Sequence, residues 1–135
     1  MLFDIGRETS PLSNNAIVLF AHGARDPQWA EPFVKVQHLL RDKLPGTSVE
    51  LAFLEIMQPN LGDTIEMLVE QGRTEITIAP LFMAQGGHLK HDLPILLEAI
   101  REQNPATQIR VLPAIGEVED ILALIADWVS HACQQ

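Results

Sequence analysis

Apolar residues along this chain alternate between two textures. Short continuous or every-other-residue runs occupy 16–21 (Ala-Ile-Val-Leu-Phe-Ala), 48–54, 74–79 and 108–112. Between them lie longer stretches in which apolar residues recur at three- and four-residue steps: Phe33, Val36, Leu40 and Leu44; Leu61, Ile65 and Leu68; Leu93, Leu96, Leu97 and Ile100; Ile121, Ile125, Trp128 and Val129. The first texture is that of β-strands and the second that of helices burying one face. The spacing predicts helices over 27–44, 59–72, 91–103 and 117–133, with the last apolar quartet turned inward.

Punctuation residues support these boundaries. Asp26 is a candidate N-cap, and Pro27 suits a first helical turn, where its missing N–H has no partner to lose. Pro45-Gly46 closes the first helix, and Gly72 is the C-terminal stop of the second. Residues 80–90 read as a longer irregular connection. Residues 1–15 read as an irregular N-terminal extension and 16–135 as a single domain, a size that supports one core.

Strand and helix therefore alternate four times with short connections. That pattern implies a three-layer αβα fold: a parallel sheet covered by helices on both faces, joined by right-handed crossovers. The expected strand order is 2-1-3-4, a shortened flavodoxin-like arrangement. Because four strands make a narrow sheet, an edge or face is expected to be buried against a second copy.

The connectivity locates a site before any motif is considered. Doubly wound sheets bind ligands beyond the carboxyl ends of their strands, where successive crossovers leave in opposite directions. Here that point lies between strands one and three. Strand one is followed by His22-Gly23-Ala24-Arg25-Asp26, and strand three leads into Gly86-Gly87-His88-Leu89-Lys90. His22 and His88 should thus face one crevice. Two neutral imidazoles can ligate a transition metal, and either can act as a base near neutral pH. Two ligands fall short of the four of a closed structural zinc site, so the pair suits a metal that is taken up and released. Gly23, Gly86 and Gly87 leave room for backbone to approach a large flat ligand.

Glu55 follows strand two at the same end of the sheet and is a candidate proton acceptor. Arg25 and Lys90, the cations beside the two histidines, are candidates for binding substrate carboxylates, as are Gly86 and Gly87 for contacting the substrate. His38 reads as solvent-facing, His91 as a helix-start residue, and His131 as a complement to the last helix's dipole. Leu81 and Phe82 read as core, and Met83 and Leu89 as candidates to line a flat ligand.

Composition narrows the classes. Of 135 residues, 47% are hydrophobic and 20% charged, a globular profile, and no apolar run approaches the roughly 20 residues of a bilayer span. The N-terminus has no continuous apolar stretch of the kind a signal peptide carries, so a cytoplasmic location is expected. The single cysteine, Cys133, forms neither an internal disulfide nor a zinc cluster. A net charge of −9 argues against nucleic acid.

The motifs AIVLFAHGARDP, FLEIMQPNL and ITIAPLFMAQGGHLKHDLP, taken together, resemble the short form of the CbiX-type sirohydrochlorin chelatases. In that family an HGSR-like motif follows the first strand, and a long motif around P-L-F and G-x-H follows the third. The likeness covers about residues 16–130. It implies insertion of a divalent metal, Co²⁺ first and Fe²⁺ or Ni²⁺ as alternatives, into the tetrapyrrole sirohydrochlorin in cobalamin or siroheme-type biosynthesis. The metal is then a substrate, and no organic cofactor is implied. The family's two active-site histidines fall on His22 and His88, and a homodimer is implied because the short form resembles half of a longer chelatase. Ala24 departs from the family's usual serine.

Three other readings compete. A non-catalytic metal or tetrapyrrole carrier would use the same ligands. A histidine phosphatase needs arginine immediately before its His-Gly, and Ala21 stands there. A flavin-nucleotide binder needs a Ser/Thr-rich phosphate loop after strand one, where this chain has His-Gly-Ala-Arg.

Overall fold

The computed structural model describes residues 13–135. Four strands, β1 (Asn15–Ala21), β2 (Ser48–Phe53), β3 (Glu75–Pro80) and β4 (Gln108–Val111), form one sheet in the order β2-β1-β3-β4. Every pairing is parallel: Leu19 sits opposite Leu51 and Ala79, and Ile76 opposite Ile109. The expected α/β architecture and strand order are thus those observed. The first 12 residues of the expected extension lie outside the described residues.

Helices α1 (Glu31–Lys43), α2 (Leu61–Glu70), α3 (Gly87–Gln103) and α4 (Glu119–Cys133) alternate with the strands. Alternate residues of β1 divide the two faces of the sheet. Ala16, Val18 and Phe20 join Leu61, Ile65 and Leu68 of α2 and Leu93, Leu97 and Ile100 of α3 in the main core. Ile17, Leu19 and Ala21 face the opposite side, where α1 packs along β1 and β2. Asn60 caps α2, its side-chain oxygen accepting from the Asp63 N–H at 2.8 Å. Arg73, just past α2, ties chain segments together by donating to the carbonyls of Ser13, Asn15 and Gly46.

Several sequence-based boundaries shift. Residues 27–30 form a 3-10 turn, with Asp26 accepting from the Gln28 N–H, and the α-helix starts only at Glu31. Helix α3 starts at Gly87, four residues before the expected 91, and runs through Pro94. Gly86-Gly87 has poor helix propensity and Pro94 is an interior breaker, so local signals pointed away from that start. His88, Leu89 and Lys90 therefore stand on the first turn of a helix rather than in a loop.

The larger correction concerns α4. The expected inward quartet is not buried: Ile125, Trp128 and Val129 are exposed, Trp128 at 70%, and Ile121 is only half-buried. Val36, Leu44 and Leu96, expected on apolar stripes, are exposed as well. An amphipathic period shows that a helix has an apolar face; it carries no information on what covers that face.

Candidate active site

The hydrogen-bond ladder of the sheet continues past its carboxyl edge. Leu54 N–H donates to Ala21 O at 2.8 Å, and Glu55 N–H donates to His22 O at 3.1 Å. On the other side, Leu81 N–H donates to Phe20 O at 2.8 Å. The residues just after β1, β2 and β3 are thereby held side by side, as the strands themselves are.

This register places His22 against Glu55. Their side chains meet with Nε2 and Oε2 3.2 Å apart, and both are a little more than half exposed. The ring of Phe82 stands edge-on to the His22 imidazole, with centroids 6.3 Å apart and planes at 87°. Phe82 is 5% exposed and also packs edge-on against Phe20, at 5.5 Å. The imidazole thus has a carboxylate on one side and a buried aromatic anchor on another. Such a carboxylate partner fixes ring orientation and tautomer. Phe82 was expected in the core and lies there; its contact with His22 was not read from the sequence.

Gly23 makes the approach of the two loops possible. It is buried with φ +102°, and a Cβ there would lie 1.9 Å from the Glu55 carbonyl oxygen. The space Gly23 leaves is occupied by the protein's own backbone. At Gly86 and Gly87 an added Cβ would meet nothing within 4 Å. Beyond Glu55 the chain turns sharply, Met57 N–H donating to Glu55 O at 2.7 Å, with exposed Ile56 at φ +71°. Positive φ is unfavourable for a β-branched residue, and such strain concentrates at functional loops.

His88 reaches the same end of the sheet on the first turn of α3, which Gly86 opens in extended conformation. His88, Lys90 and His91 are exposed, as is Arg25 on the loop after β1. Met83 is exposed and Leu89 is packed at the margin of the core. The structure brings His22 and Glu55 into contact, with His88 and Lys90 on a neighbouring element at the same edge. Among the described residues, no three His, Cys, Asp or Glu side chains cluster closely enough to hold a metal ion. His38 is exposed on α1, and His131 occupies the last turn of α4. Among the described residues no helix is long and apolar enough to cross a membrane.

The sequence model of the CbiX family matches residues 16–132. The chain belongs to the CbiX family. Among its relatives, the sirohydrochlorin cobaltochelatase of Sulfolobus acidocaldarius is 30% identical over 116 residues, covering 86% of this chain and 90% of that protein. The sirohydrochlorin ferrochelatase of Priestia megaterium is 27% identical over 117 residues, 87% of this chain. This CbiX-family chain spans only 44% of the length of that ferrochelatase. A crystal structure of a CbiX protein from Marinobacter aquaeolei, described as a putative cobalamin biosynthesis protein, superposes with a TM-score of 0.76 at 29% identity. The match covers 89% of this chain and 98% of that one.

Proposed function

We propose that this protein is a cytoplasmic sirohydrochlorin metal chelatase that acts as a homodimer. Co²⁺ is the first-choice substrate metal, with Fe²⁺ or Ni²⁺ as alternatives. The observation that carries the reading is the His22–Glu55 pair at the carboxyl edge of the sheet, with His88 on the adjoining helix turn. The choice of cobalt leans on relatives named as cobaltochelatases, and the ferrochelatase among them keeps iron in play. The two-copy state is supported by a match that spans 44% of the Priestia protein, so that two copies would make up its length.

Insertion exchanges one M²⁺ for two pyrrole N–H protons. With its proton on Nε2, His22 donates to Glu55 and keeps the Nδ1 lone pair for the incoming metal. His88 supplies a second imidazole ligand. As the metal passes to the ring nitrogens, Glu55 or a vacated imidazole accepts the two pyrrole protons one after the other and hands each to water, which reaches both His22 and Glu55. Metal and proton compete for the same lone pair, so uptake of one is coupled to release of the other.

Sirohydrochlorin carries many carboxylates, and this protein is strongly acidic. Screening over a Debye length of roughly 8 Å leaves local charge in control. Arg25, Lys90 and the free N–H groups of Gly86 and Gly87 at the start of the 17-residue helix α3 are the groups that would hold substrate carboxylates.

The test is metalation followed by visible absorption. Mixing the protein with sirohydrochlorin and Co²⁺ should accelerate formation of the cobalt complex. His22→Ala and His88→Ala should each abolish that acceleration with circular dichroism unchanged, because both side chains are exposed. A carrier would perturb the ligand spectrum without accelerating metalation. Wild-type rates in both variants would refute the two-histidine mechanism.

A further inference from the structure

Among the described residues, Ile56 is the one non-glycine residue with positive φ, at +71°. The Met57 N–H reaches back across it to Glu55 O at 2.7 Å. A bond from residue i+2 to residue i around a centre with φ of about +75° is a γ-turn in its rare and strained form. Isoleucine is among the least suited residues for that centre, because its branched Cβ crowds the backbone. Glycine would take the same turn without the strain. The core gains little from the side chain either, since Ile56 is 59% exposed. Neither backbone preference nor packing accounts for this residue at this position.

Its neighbours do. The loop is fastened on both sides of the turn: Leu54 and Glu55 donate to the carbonyls of Ala21 and His22, and Phe53 N–H donates to Pro59 O at 2.9 Å. Ile56 is thus presented one residue past the carboxylate that meets His22. On the other side of β1, the loop after β3 presents Met83, 55% exposed, one residue past the Phe82 ring that stands against the same imidazole. That loop is fastened too. Gly116 N–H donates to Phe82 O at 3.1 Å, and Gly116 lies so close to Met83 O that a Cβ there would have no room. Strands β2 and β3 flank β1 and lie two spacings, or about 10 Å, apart. Single apolar residues on a surface are ordinary. A strained one matched by a second across the imidazole is not.

Sirohydrochlorin is a flat ring with apolar faces and carboxylates around its rim. We propose that Ile56 and Met83 are substrate-binding residues that hold the apolar face of this macrocycle across His22, with the γ-turn fixing Ile56 in the conformation that meets the ring. The proposal rests on the chelatase reading above and adds to it the contact with the ring itself, as distinct from its carboxylates. A side chain already held in place loses little freedom on binding. The thioether of Met83 adapts to an irregular surface. The strain at Ile56 is stored where the ligand uses it.

Ile56→Asn tests the contact, because asparagine accepts positive φ. It should melt no lower than the wild type, since strain is relieved and no core contact is removed. Titrated with sirohydrochlorin without metal, and followed by the ligand's visible absorption, it should bind about tenfold more weakly, the loss expected for the exposed part of an isoleucine. The KM for sirohydrochlorin should rise by a similar factor, with kcat within about twofold and Co²⁺ affinity unchanged. Met83→Gln, which keeps the length of the side chain, should weaken binding in the same way. Ile56→Leu should restore most of the affinity, because apolar contact is not directional. Wild-type affinity in both Ile56→Asn and Met83→Gln, beside normal metalation by the wild type, would overturn the contact and leave the chelatase reading standing. A fall in kcat alone would overturn it as well, showing that the turn serves only to place Glu55. Slower sedimentation of Ile56→Asn would place Ile56 between copies, again against the proposal. A wild type that neither binds sirohydrochlorin nor accelerates its metalation would overturn both readings.

Discussion

Replacing Gly23 with alanine tests whether the site is built by backbone contact between two loops. The new Cβ would lie 1.9 Å from the Glu55 carbonyl oxygen, and ordinary contact begins at 3.4 Å, so the loops must part by about 1.5 Å (3.4 − 1.9). Both sides of the clash are main chain, and no rotamer change relieves it. The φ of +102° adds about 1–2 kcal/mol for a residue with a Cβ. Parting the loops also strains the Glu55 N–H to His22 O hydrogen bond, worth about 1 kcal/mol net. The sum is about 2–3 kcal/mol, or a fall in Tm of roughly 8–12 °C at about 4 °C per kcal/mol for a domain this size. The His22–Glu55 distance should open as well, and a 1 Å misplacement can cost about 100-fold in rate. Thermal and urea unfolding by circular dichroism, run beside the metalation assay, read both effects. Gly86→Ala, where the added Cβ meets open space, is the control and should stay within about 0.5 kcal/mol. A Gly23→Ala protein as stable as that control would show that the two loops are not in contact.

Two further predictions concern what holds the scaffold. Arg73→Ala leaves three carbonyls, of Ser13, Asn15 and Gly46, without their shared donor, and should lower stability by about 2–3 kcal/mol in urea titrations, since bonds from a charged donor are the stronger kind. Asn60→Ala removes the cap of α2 and should lower it by about 1 kcal/mol; Asn60→Asp should restore most of that, whereas a loss shared equally by both variants would place the effect elsewhere.

The alternation of textures was enough to order the sheet, because parallel strands buried on both faces are continuously apolar and short connections leave few topologies. The same reasoning put His22, Glu55 and the 86–90 segment at one edge. What it missed depends on register and on partners. That His22 meets Glu55 follows from Ala21 pairing with Phe53, and strand composition does not set such a register. That Gly23 is demanded by the Glu55 carbonyl requires knowing which loop passes beside it. Phe82 reads as one more apolar residue until its ring is seen edge-on to both Phe20 and His22. The inward reading of α4 failed because amphipathicity is silent on what, if anything, packs against an apolar face.

The edge-on contact of Phe82 with His22 and Phe20 has a thermal consequence. Phe20 is fully buried in the sheet, so the chain of rings runs from the centre of the core to the imidazole. The amides of Leu54 and Leu81, bonded to β1 on either side, belong to the same cooperative unit as the strands. The His22 half of the edge therefore has no melting event of its own: hydrogen exchange there should be as slow as in the sheet, and the imidazole should keep its place until the whole domain unfolds. His88, on an exposed first turn opened by two glycines, shares none of these bonds. The edge thus pairs a stationary half with one free to open locally, and a rigid flat ligand entering between them would draw its adjustments from the His88 side.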